Sequence, residues 1–238
     1  MTDNTLVVSE VFGPVFQGEG PSTGQRAAFI RLGGCNLHCR WCDTPYTWDA
    51  GRYDLRAEMQ REPVDVIVEK VLAWEPQLLV ISGGEPLLHQ RQPGWVQLLN
   101  LLRGVDLPIE VETNGTIPPT PLTAARVAQF NVSPKLAHSG DSEEDRIRID
   151  VLRCFSTLSR LGSAVLKVVC QTSGDVVRAK ELALRVDWKP EQVWVMPEGQ
   201  TGTELADRHR IIAEAALAHG VNFTTRLHIL VWGTERGR

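Results

Sequence analysis

The sequence has 238 residues, with 25 Lys and Arg against 29 Asp and Glu, giving a formal net charge of −4. Its 42% hydrophobic and 23% charged residues are ordinary for a globular protein and exclude wholesale disorder. The mild acidity does not favour a nucleic-acid-binding protein that relies on phosphate contacts. No apolar run approaches the ~18 residues of a membrane span, and no leader segment is evident, so a cytoplasmic protein without a membrane partner is expected.

The predicted elements alternate between strand and helix along the chain. Strands are predicted at 7–13, 27–33, 78–84, 109–113, 129–133, 164–170, 192–196 and 226–233. Helices are predicted at 64–74, 94–102, 143–161, 175–185 and 205–219. This alternation predicts an α/β fold with an open parallel sheet, a partial (β/α)6-type barrel in a single domain over 1–238. A doubly wound sheet is the second choice.

Polar and glycine-rich clusters follow five of the predicted strands. In chain order they read GGCNLHC, SGGEP, ETNG, SPK and MPEG. The carboxyl ends of parallel strands meet at one edge of a sheet, where α/β proteins bind their ligands. The sequence therefore predicts a functional site at that edge.

Three of the five cysteines, Cys35, Cys39 and Cys42, form a C-x3-C-x2-C pattern. A 4Fe–4S cluster held by three thiolates keeps one iron free of protein ligands, and that iron can bind a small molecule. A zinc knuckle with His38 as a fourth ligand, or three unrelated thiols, are the alternatives. Cys154 and Cys170 lie among apolar residues and are interpreted as buried, inert thiols. No structural disulfide is expected in a reducing compartment.

The motifs resemble the 7-carboxy-7-deazaguanine synthase family of the radical S-adenosylmethionine (SAM) superfamily. The cysteine pattern with Trp41, followed by Ser82-Gly83-Gly84-Glu85-Pro86, is similar to the two superfamily motifs. The closer family resemblance lies in FQGEG (16–20), RLGGCNL (31–37), CDT (42–44), ETNG (112–115), SPK (133–135) and the tail RLH with WG (226–233).

The resemblance implies an activity, cofactors and partners. The family converts 6-carboxy-5,6,7,8-tetrahydropterin to 7-carboxy-7-deazaguanine with loss of ammonia, in the 7-deazapurine pathway to queuosine-type tRNA modification. It uses a 4Fe–4S cluster, SAM and Mg²⁺, because rearranging an unactivated ring needs radical chemistry that a cofactor supplies. A small-molecule pterin substrate, an external electron donor such as a flavodoxin or ferredoxin, and a homodimer are implied.

The resemblance also implies residue roles. The cluster ligands are Cys35, Cys39 and Cys42, and the Mg²⁺ ligand is Thr44. The SAM contacts are Trp41, Cys42, Asp43, Gly83, Gly84, Glu85, Gly115, Ser133, Pro134 and Lys135. The substrate contacts are Phe16, Gln17, Gly18, Glu19, Arg31, Thr113, Asn114 and His228. Arg31 suits a clamp on the substrate carboxylate, and an amide and a carboxylate suit the guanidine-like face of a pterin.

Some interpretations stay open at this point. A glycyl-radical activating enzyme acting on a protein partner, or a non-enzymatic zinc or iron–sulfur protein, would share the cysteine pattern. Thr44 could instead cap a turn. His89, His209 and His219 are interpreted as surface histidines. Some family members end shortly after the equivalent of His228, whereas this chain continues through 229–238.

Overall fold

The computed structural model describes residues 4–238, so the first three residues of the predicted domain lie outside the described part. Within that range the chain forms one sheet of nine strands, mostly parallel, which does not close into a barrel. The strands are β1 (Thr5–Phe16), β2 (Arg26–Leu32), β3 (Gln60–Pro63), β4 (Leu78–Gly83), β5 (Ile109–Thr113), β6 (Gln129–Val132), β7 (Ala164–Cys170), β8 (Val193–Pro197) and β9 (Asn222–Phe223).

The helices connect the strands, and the longer ones pack on one face of the sheet. They are α1 (Leu55–Glu58), α2 (Val64–Ala73), α3 (Pro93–Leu101), α4 (Pro121–Arg126), α5 (Glu143–Arg146), α6 (Ile149–Arg160), α7 (Ser173–Arg185), α8 (Gly202–His219) and α9 (Leu227–Trp232). None of the helices between residues 4 and 238 is long and apolar enough to cross a membrane.

The strand order is β3-β1-β2-β4-β5-β6-β7-β8-β9. From β2 to β9 every neighbouring pair is parallel, as the alternating pattern predicts. The predicted open parallel sheet is confirmed from β2 to β9, and one edge adds antiparallel pairing, where β1 pairs with both β2 and β3. The loop between β1 and β2 is too short for a helical crossover, so the two strands run in opposite directions.

The two faces of the sheet have different chemistry. Successive side chains of a strand point to opposite faces, so Ile30 and Ile81 pack in the large core beneath the helices, whereas Phe29 and Val80 point the other way. Phe29 and Val80 join Phe12 in a small apolar cluster on the inner face. Farther along the same strands the inner face turns polar, and the functional pocket begins there.

Two predicted elements are wrong in detail. The helix predicted over 143–161 is two helices, α5 and α6, because Ile147 and Arg148 adopt extended backbone. The strand predicted over 226–233 is the short helix α9. A short apolar run does not distinguish a strand from a helix, and here Ile229 is the buried anchor of one helical turn.

Candidate active site

A pocket opens at the carboxyl ends of the parallel strands, where the sequence places the polar clusters. Nearly all of the predicted site residues line it, and the exceptions are Glu85, Gly115 and Pro134. Gly115 has φ +76° and its amide donates to the hydroxyl of Thr113, so it shapes the turn after β5. The fold thus brings together residues from Phe16 to His228 around one cavity.

The three motif cysteines lie together on one side of this pocket, in the loop after β2. Burial raises the pKa of Cys35 to about 11 and that of Cys39 to about 12, so iron binding must displace their protons. The Trp48 indole N–H donates to the sulfur of Cys42 at 3.3 Å. Three soft sulfur ligands facing one cavity fit a 4Fe–4S cluster.

His38 does not complete a zinc site with these cysteines. Its side chain is 71% exposed and lies beside Asp141, with 4.0 Å between Nδ1 and the carboxylate oxygen. Structural zinc sites take four protein ligands. The geometry around Cys35, Cys39 and Cys42 therefore favours the iron–sulfur interpretation.

Gly84 lets the end of β4 touch the cysteine loop. A Cβ at this position would lie 1.9 Å from the carbonyl oxygen of Gly34, which is backbone and cannot move aside easily. The amide of Glu85 donates to that same carbonyl at 2.8 Å. The SGGEP motif therefore holds the cysteine loop against the sheet, and its Gly83 and Gly84 line the pocket beside that loop.

Glu85 is fully buried and its carboxylate bonds within the chain. It accepts hydrogen bonds from the Thr113 hydroxyl at 2.9 Å, the Asn114 amide at 2.7 Å and the Leu87 amide at 3.0 Å. The Asn114 side chain donates in turn to Asn36 of the cysteine loop at 2.9 Å. These hydrogen bonds connect the cysteine loop to the ends of β4 and β5.

Lys135 and Trp41 form another wall of the pocket. The Lys135 ammonium donates to the Ser133 hydroxyl at 3.0 Å and lies 5.6 Å from the centre of the Trp41 ring. A cation held at this distance is attracted to the face of the indole. The arrangement places one positive charge beside the cysteines.

The loop after β1 and helix α9 meet across the mouth of the pocket. The Leu227 amide donates to the Gly18 carbonyl at 2.9 Å. A Cβ on Gly18 would lie 2.0 Å from Nδ1 of His228, so glycine is needed for the imidazole to pack there. The rings of Phe16 and Trp232 stack with centroids 6.2 Å apart. The 229–238 segment therefore continues along the rim of the site.

An ion network built on two buried cations, Lys167 and Arg226, crosses the pocket beneath this contact. Lys167 binds Glu19 at 2.5 Å and lies 3.5 Å from Glu112, while Arg226 binds Glu19 at 3.0 Å and also pairs with Asp43. Burial alone would raise the pKa of Glu19, but Lys167 and Arg226 outweigh it and hold that pKa far below its usual range. Glu19 is therefore an anion with both oxygens already paired.

Carboxylate and imidazole atoms of Glu19, Asp43 and His228 lie within 4.8 Å of one another, a spacing that suits a metal ion. The guanidinium of Arg226 already contacts the two carboxylates. Burial lowers the pKa of His228, which favours the neutral ring. A cation here would have to share its ligands with Arg226.

The Gln17 side chain is buried in a second network. Its amide donates to Glu110 at 3.3 Å and to Glu112 at 3.4 Å, and its oxygen accepts from the Glu19 amide at 3.2 Å. Glu110 also accepts from Asn131 at 3.1 Å and from Ser22. Burial raises the pKa of Glu110 despite these donors. Gln17 therefore fixes the loop after β1 to strand β5.

Arg31 lines the pocket from β2 and is oriented by Glu10. Its Nε donates to the Glu10 carboxylate at 2.8 Å, and that carboxylate also accepts from Tyr46 at 3.0 Å and from Arg236 at 3.0 Å. The Arg236 guanidinium lies 3.8 Å from the centre of the Tyr46 ring. Glu10 thus has two cationic partners, and Arg31 keeps its charge at the cavity wall.

Several polar pocket residues are absent from the sequence-based prediction. They are Ser82, Glu112, Lys167, Glu198, Arg226 and Arg238. Lys167 offered a signal, since it is the one charged residue in the apolar strand AVLKVVC. Its buried position then requires an ionic partner, which Glu19 provides.

Two interpretations outside the site are wrong. Cys154 is exposed on α6, because its position in the helix faces solvent, whereas Cys170 is buried as expected. His89 is not a surface histidine. It is buried, and its Nε2 contacts the Gly33 carbonyl at 2.8 Å, which ties the end of β4 to the cysteine loop.

Comparison with known proteins agrees with this geometry. Residues 29–152 match the Radical SAM superfamily. The chain is 36% identical to 7-carboxy-7-deazaguanine synthase of Pyrobaculum aerophilum, over 97% of this chain and 96% of the relative. It is 33% identical to the enzyme of that name from Hyperthermus butylicus, over 96% and 94% of the two chains.

The comparison with solved structures also covers nearly the whole chain. The crystal structure of QueE from Escherichia coli superposes with a TM-score of 0.68 at 25% identity, covering 94% of this chain and 95% of that one. The chain belongs to the 7-carboxy-7-deazaguanine synthase family of the Radical SAM superfamily.

Proposed function

We propose that this chain converts 6-carboxy-5,6,7,8-tetrahydropterin to 7-carboxy-7-deazaguanine with loss of ammonia, as a radical SAM carbon–nitrogen lyase. One observation carries the proposal: a single pocket holds three thiols on one side and buried carboxylate and guanidinium groups on the other. The relatives that match over nearly the full chain have the corresponding name. The substrate class is therefore a small molecule, which disfavours a glycyl-radical activating enzyme or a zinc protein.

The cysteine side of the pocket is the proposed site of the cluster and SAM. Cys35, Cys39 and Cys42 would hold the cluster, which together with SAM supplies the carbon radical that the reaction needs. Gly83 and Gly84 line this side of the pocket, and their backbone is the proposed contact for the methionine part of SAM. Since the Glu85 carboxylate is occupied by the chain, we propose that it acts on SAM by holding this backbone in place.

The remaining proposed SAM contacts frame the same side. The Trp41 ring offers a stacking surface for an aromatic base, and the Lys135 ammonium beside it offers a partner for a carboxylate. The other proposed contacts are Cys42, Asp43, Gly115, Ser133 and Pro134. The opposite side, with Phe16, Gln17, Gly18, Glu19, Arg31, Thr113, Asn114 and His228, is the proposed substrate side. Of these, Thr113 and Asn114 are positioned by the hydrogen bonds that they donate to the Glu85 carboxylate.

The decisive test is an anaerobic assay of the reconstituted enzyme. SAM, a low-potential reductant and 6-carboxy-5,6,7,8-tetrahydropterin are supplied, and 5′-deoxyadenosine and 7-carboxy-7-deazaguanine are measured. We expect both products, and omission of the pterin should leave slow 5′-deoxyadenosine formation alone. Formation of 5′-deoxyadenosine without any conversion of the pterin would contradict the proposed substrate.

Arg31→Ala is expected to weaken substrate binding strongly. Arg31 would pair with the substrate carboxylate, and loss of a partly buried charged contact costs about 2–5 kcal/mol, or roughly 30- to 4000-fold. Glu10 keeps Tyr46 and Arg236 as partners, so the fold should persist. The KM for the pterin is measured together with pterin-independent SAM cleavage, which should stay near the wild-type rate. Arg210→Ala is the matched control, since the Arg210 side chain on α8 is exposed. An unchanged KM in Arg31→Ala would remove Arg31 from substrate binding.

Thr44→Ala is expected to shift activation by Mg²⁺ to higher concentration, because one oxygen ligand is lost. The Thr44 side chain is buried and makes no capping bond, and its hydroxyl shares a hydrogen bond of 3.7 Å with the Cys42 sulfur, which leaves an oxygen lone pair for an ion. Thr47→Ala is the control, since the Thr47 hydroxyl donates to backbone in the same turn. Turnover is titrated with MgCl₂. The same midpoint in wild type and Thr44→Ala would exclude Thr44 as a ligand.

Other expectations belong to this proposal. We propose one catalytic domain over the whole chain, since a single sheet carries residues for both sides of the pocket. A flavodoxin- or ferredoxin-type donor would supply electrons to the cluster side. Homodimer formation and a cytoplasmic location also stay predictions, and analytical ultracentrifugation tests the former.

A further inference from the structure

We propose that Asp141 holds the cysteine loop and, through Cys39, makes the cluster harder to reduce and therefore a stronger reductant once it is reduced. Asp141 is thus a positioning residue, since it would touch neither SAM nor the substrate. The inference rests on the cluster site of the proposed function and does not depend on the pterin. Asp141 ends a turn over 137–141 that follows β6 and Lys135.

This turn is bonded to the cysteine loop through the backbone of both segments. The Arg40 amide donates to the Ser139 carbonyl at 2.8 Å. The His38 amide donates to Oδ1 of Asp141 at 2.9 Å. Gly140 has φ +97°, and a Cβ there would lie 2.6 Å from Nε of Arg40. Glycine adopts this left-handed conformation without strain, which allows the chain to turn back so that Asp141 reaches the loop.

The second oxygen of this carboxylate faces a proposed iron ligand. Oδ2 of Asp141 accepts a hydrogen bond from the Cys39 thiol at 3.6 Å. The Asp141 side chain is 8% exposed, so the contact is shielded from water. A cluster-bound thiolate has no proton to donate, and an ionised carboxylate accepts hydrogen bonds but donates none. In the loaded enzyme two anionic groups would therefore face each other, while the His38 amide still holds the carboxylate in place.

Asp141 contacts the cysteine loop from outside the cavity. Cys35, Cys39 and Cys42 line the pocket, whereas Asp141 does not. Lys135, which lies earlier in the same connection between β6 and α5, does line it. One connection thus supplies a cation inside the cavity and a carboxylate outside it. A change at Asp141 can therefore act on the cluster without removing a contact to a ligand in the pocket.

A negative charge beside a cluster opposes the addition of an electron. The net charge and the hydrogen bonds to the sulfur atoms are among the features that set the potential of an iron–sulfur cluster. Repulsion by Asp141 would be strong because the carboxylate is buried, and buried charges are poorly screened. SAM cleavage takes one electron from the external donor by way of the cluster, and breaks the C5′–S bond to give methionine and the 5′-deoxyadenosyl radical. A more strongly reducing cluster favours that step.

The test compares the midpoint potential of the reconstituted wild type with that of Asp141→Asn. Asparagine keeps an oxygen acceptor for the His38 amide, removes the negative charge and offers an N–H to the Cys39 sulfur. Both changes favour the reduced cluster, so the reduction equilibrium should shift by about tenfold or more, which is about 59 mV toward positive potential for one electron. An anaerobic redox titration, followed by the electron paramagnetic resonance signal of the reduced cluster, measures the potential. Iron and sulfide analysis measures the cluster content.

Two further variants separate the charge at this position from a general loss of charge. Asp145→Asn is the matched control, since the Asp145 side chain is exposed and accepts from Ser142. The Asp145→Asn variant should keep the wild-type potential. Asp141→Glu retains the carboxylate, so its potential should lie closer to that of wild type than to that of Asp141→Asn.

Several outcomes would overturn the inference. One is an unchanged or more negative potential in Asp141→Asn with its cluster bound, and another is an equal positive shift in Asp145→Asn. Loss of the cluster in Asp141→Asn would also overturn it, because the amide oxygen should still hold the loop and permit assembly. Absence of an iron–sulfur signal in wild type would instead refute the proposed cluster site. A wild type that holds the cluster but does not convert the pterin would refute only the proposed reaction.

Discussion

Replacing any one of Cys35, Cys39 or Cys42 with alanine is expected to abolish SAM cleavage. The three thiols lie in one loop and line the pocket, whereas Cys154 and Cys170 do not line it. Changing even an outer partner of a metal ligand costs 10- to 100-fold, so losing a ligand should reduce activity by more than about 100-fold. Iron and sulfide content, the electron paramagnetic resonance signal of the reduced cluster, and 5′-deoxyadenosine formation are measured anaerobically.

Cys154 and Cys170 provide the controls for these variants. Cys154→Ala should behave as wild type, since this thiol is exposed on α6. Cys170 is a buried thiol in β7, so Cys170→Ala should lower thermal stability modestly and keep about four irons per chain. If Cys154→Ala lost the cluster, the assignment of three thiolates in one loop would be refuted.

Lys167→Met is expected to lower the free energy of unfolding, by less than the ~3–5 kcal/mol that an uncompensated buried charge costs, because it removes one of the two cations that pair with Glu19. Lys167 is 5% exposed and bridges Glu19 and Glu112, and Arg226 still compensates Glu19 in the variant. Urea unfolding of the metal-free protein measures the change. Lys70→Met is the control, since the Lys70–Glu62 pair is half exposed and should contribute less than about 1 kcal/mol.

The effect of Lys167→Met should depend on pH in a defined direction. The folded-state pKa of Glu19 lies below its ordinary value of 4.5, so its pairing stabilises the fold fully above that pH. As pH falls below 4.5 the wild type loses this stabilisation progressively. The deficit of the variant should therefore be largest near neutral pH and should narrow in acid. A deficit that widened on acidification would contradict the ion-pair explanation.

The sequence predicts the strand and helix alternation well because periodicity is local information. Strands β5 and β7 have the predicted bounds, and α8 ends before Gly220 as expected. The antiparallel direction of β1 and the helical form of α9 depend on where distant segments dock. An apolar run such as LHILVW is compatible with either state until its partner surface is known.

The cysteine loop and most of the site could also be predicted, since their motifs are contiguous. The partners of Glu19 could not, because Lys167 and Arg226 are 148 and 207 residues away. The partners of Glu85 could not be predicted either. Its motif predicts a direct SAM contact, whereas its carboxylate accepts hydrogen bonds from Thr113 and Asn114. Motifs identify which residues gather at a site, whereas their hydrogen-bond partners follow from the tertiary fold.

The contact of helix α9 with the loop after β1 has a consequence for biosynthesis of the enzyme. Gly18 meets Leu227 and His228 from the opposite end of the chain. During translation the cysteine loop emerges early, whereas Arg226 and His228 leave the ribosome among the last residues. The substrate side of the pocket is therefore completed only when the last part of the chain folds back onto the loop after β1.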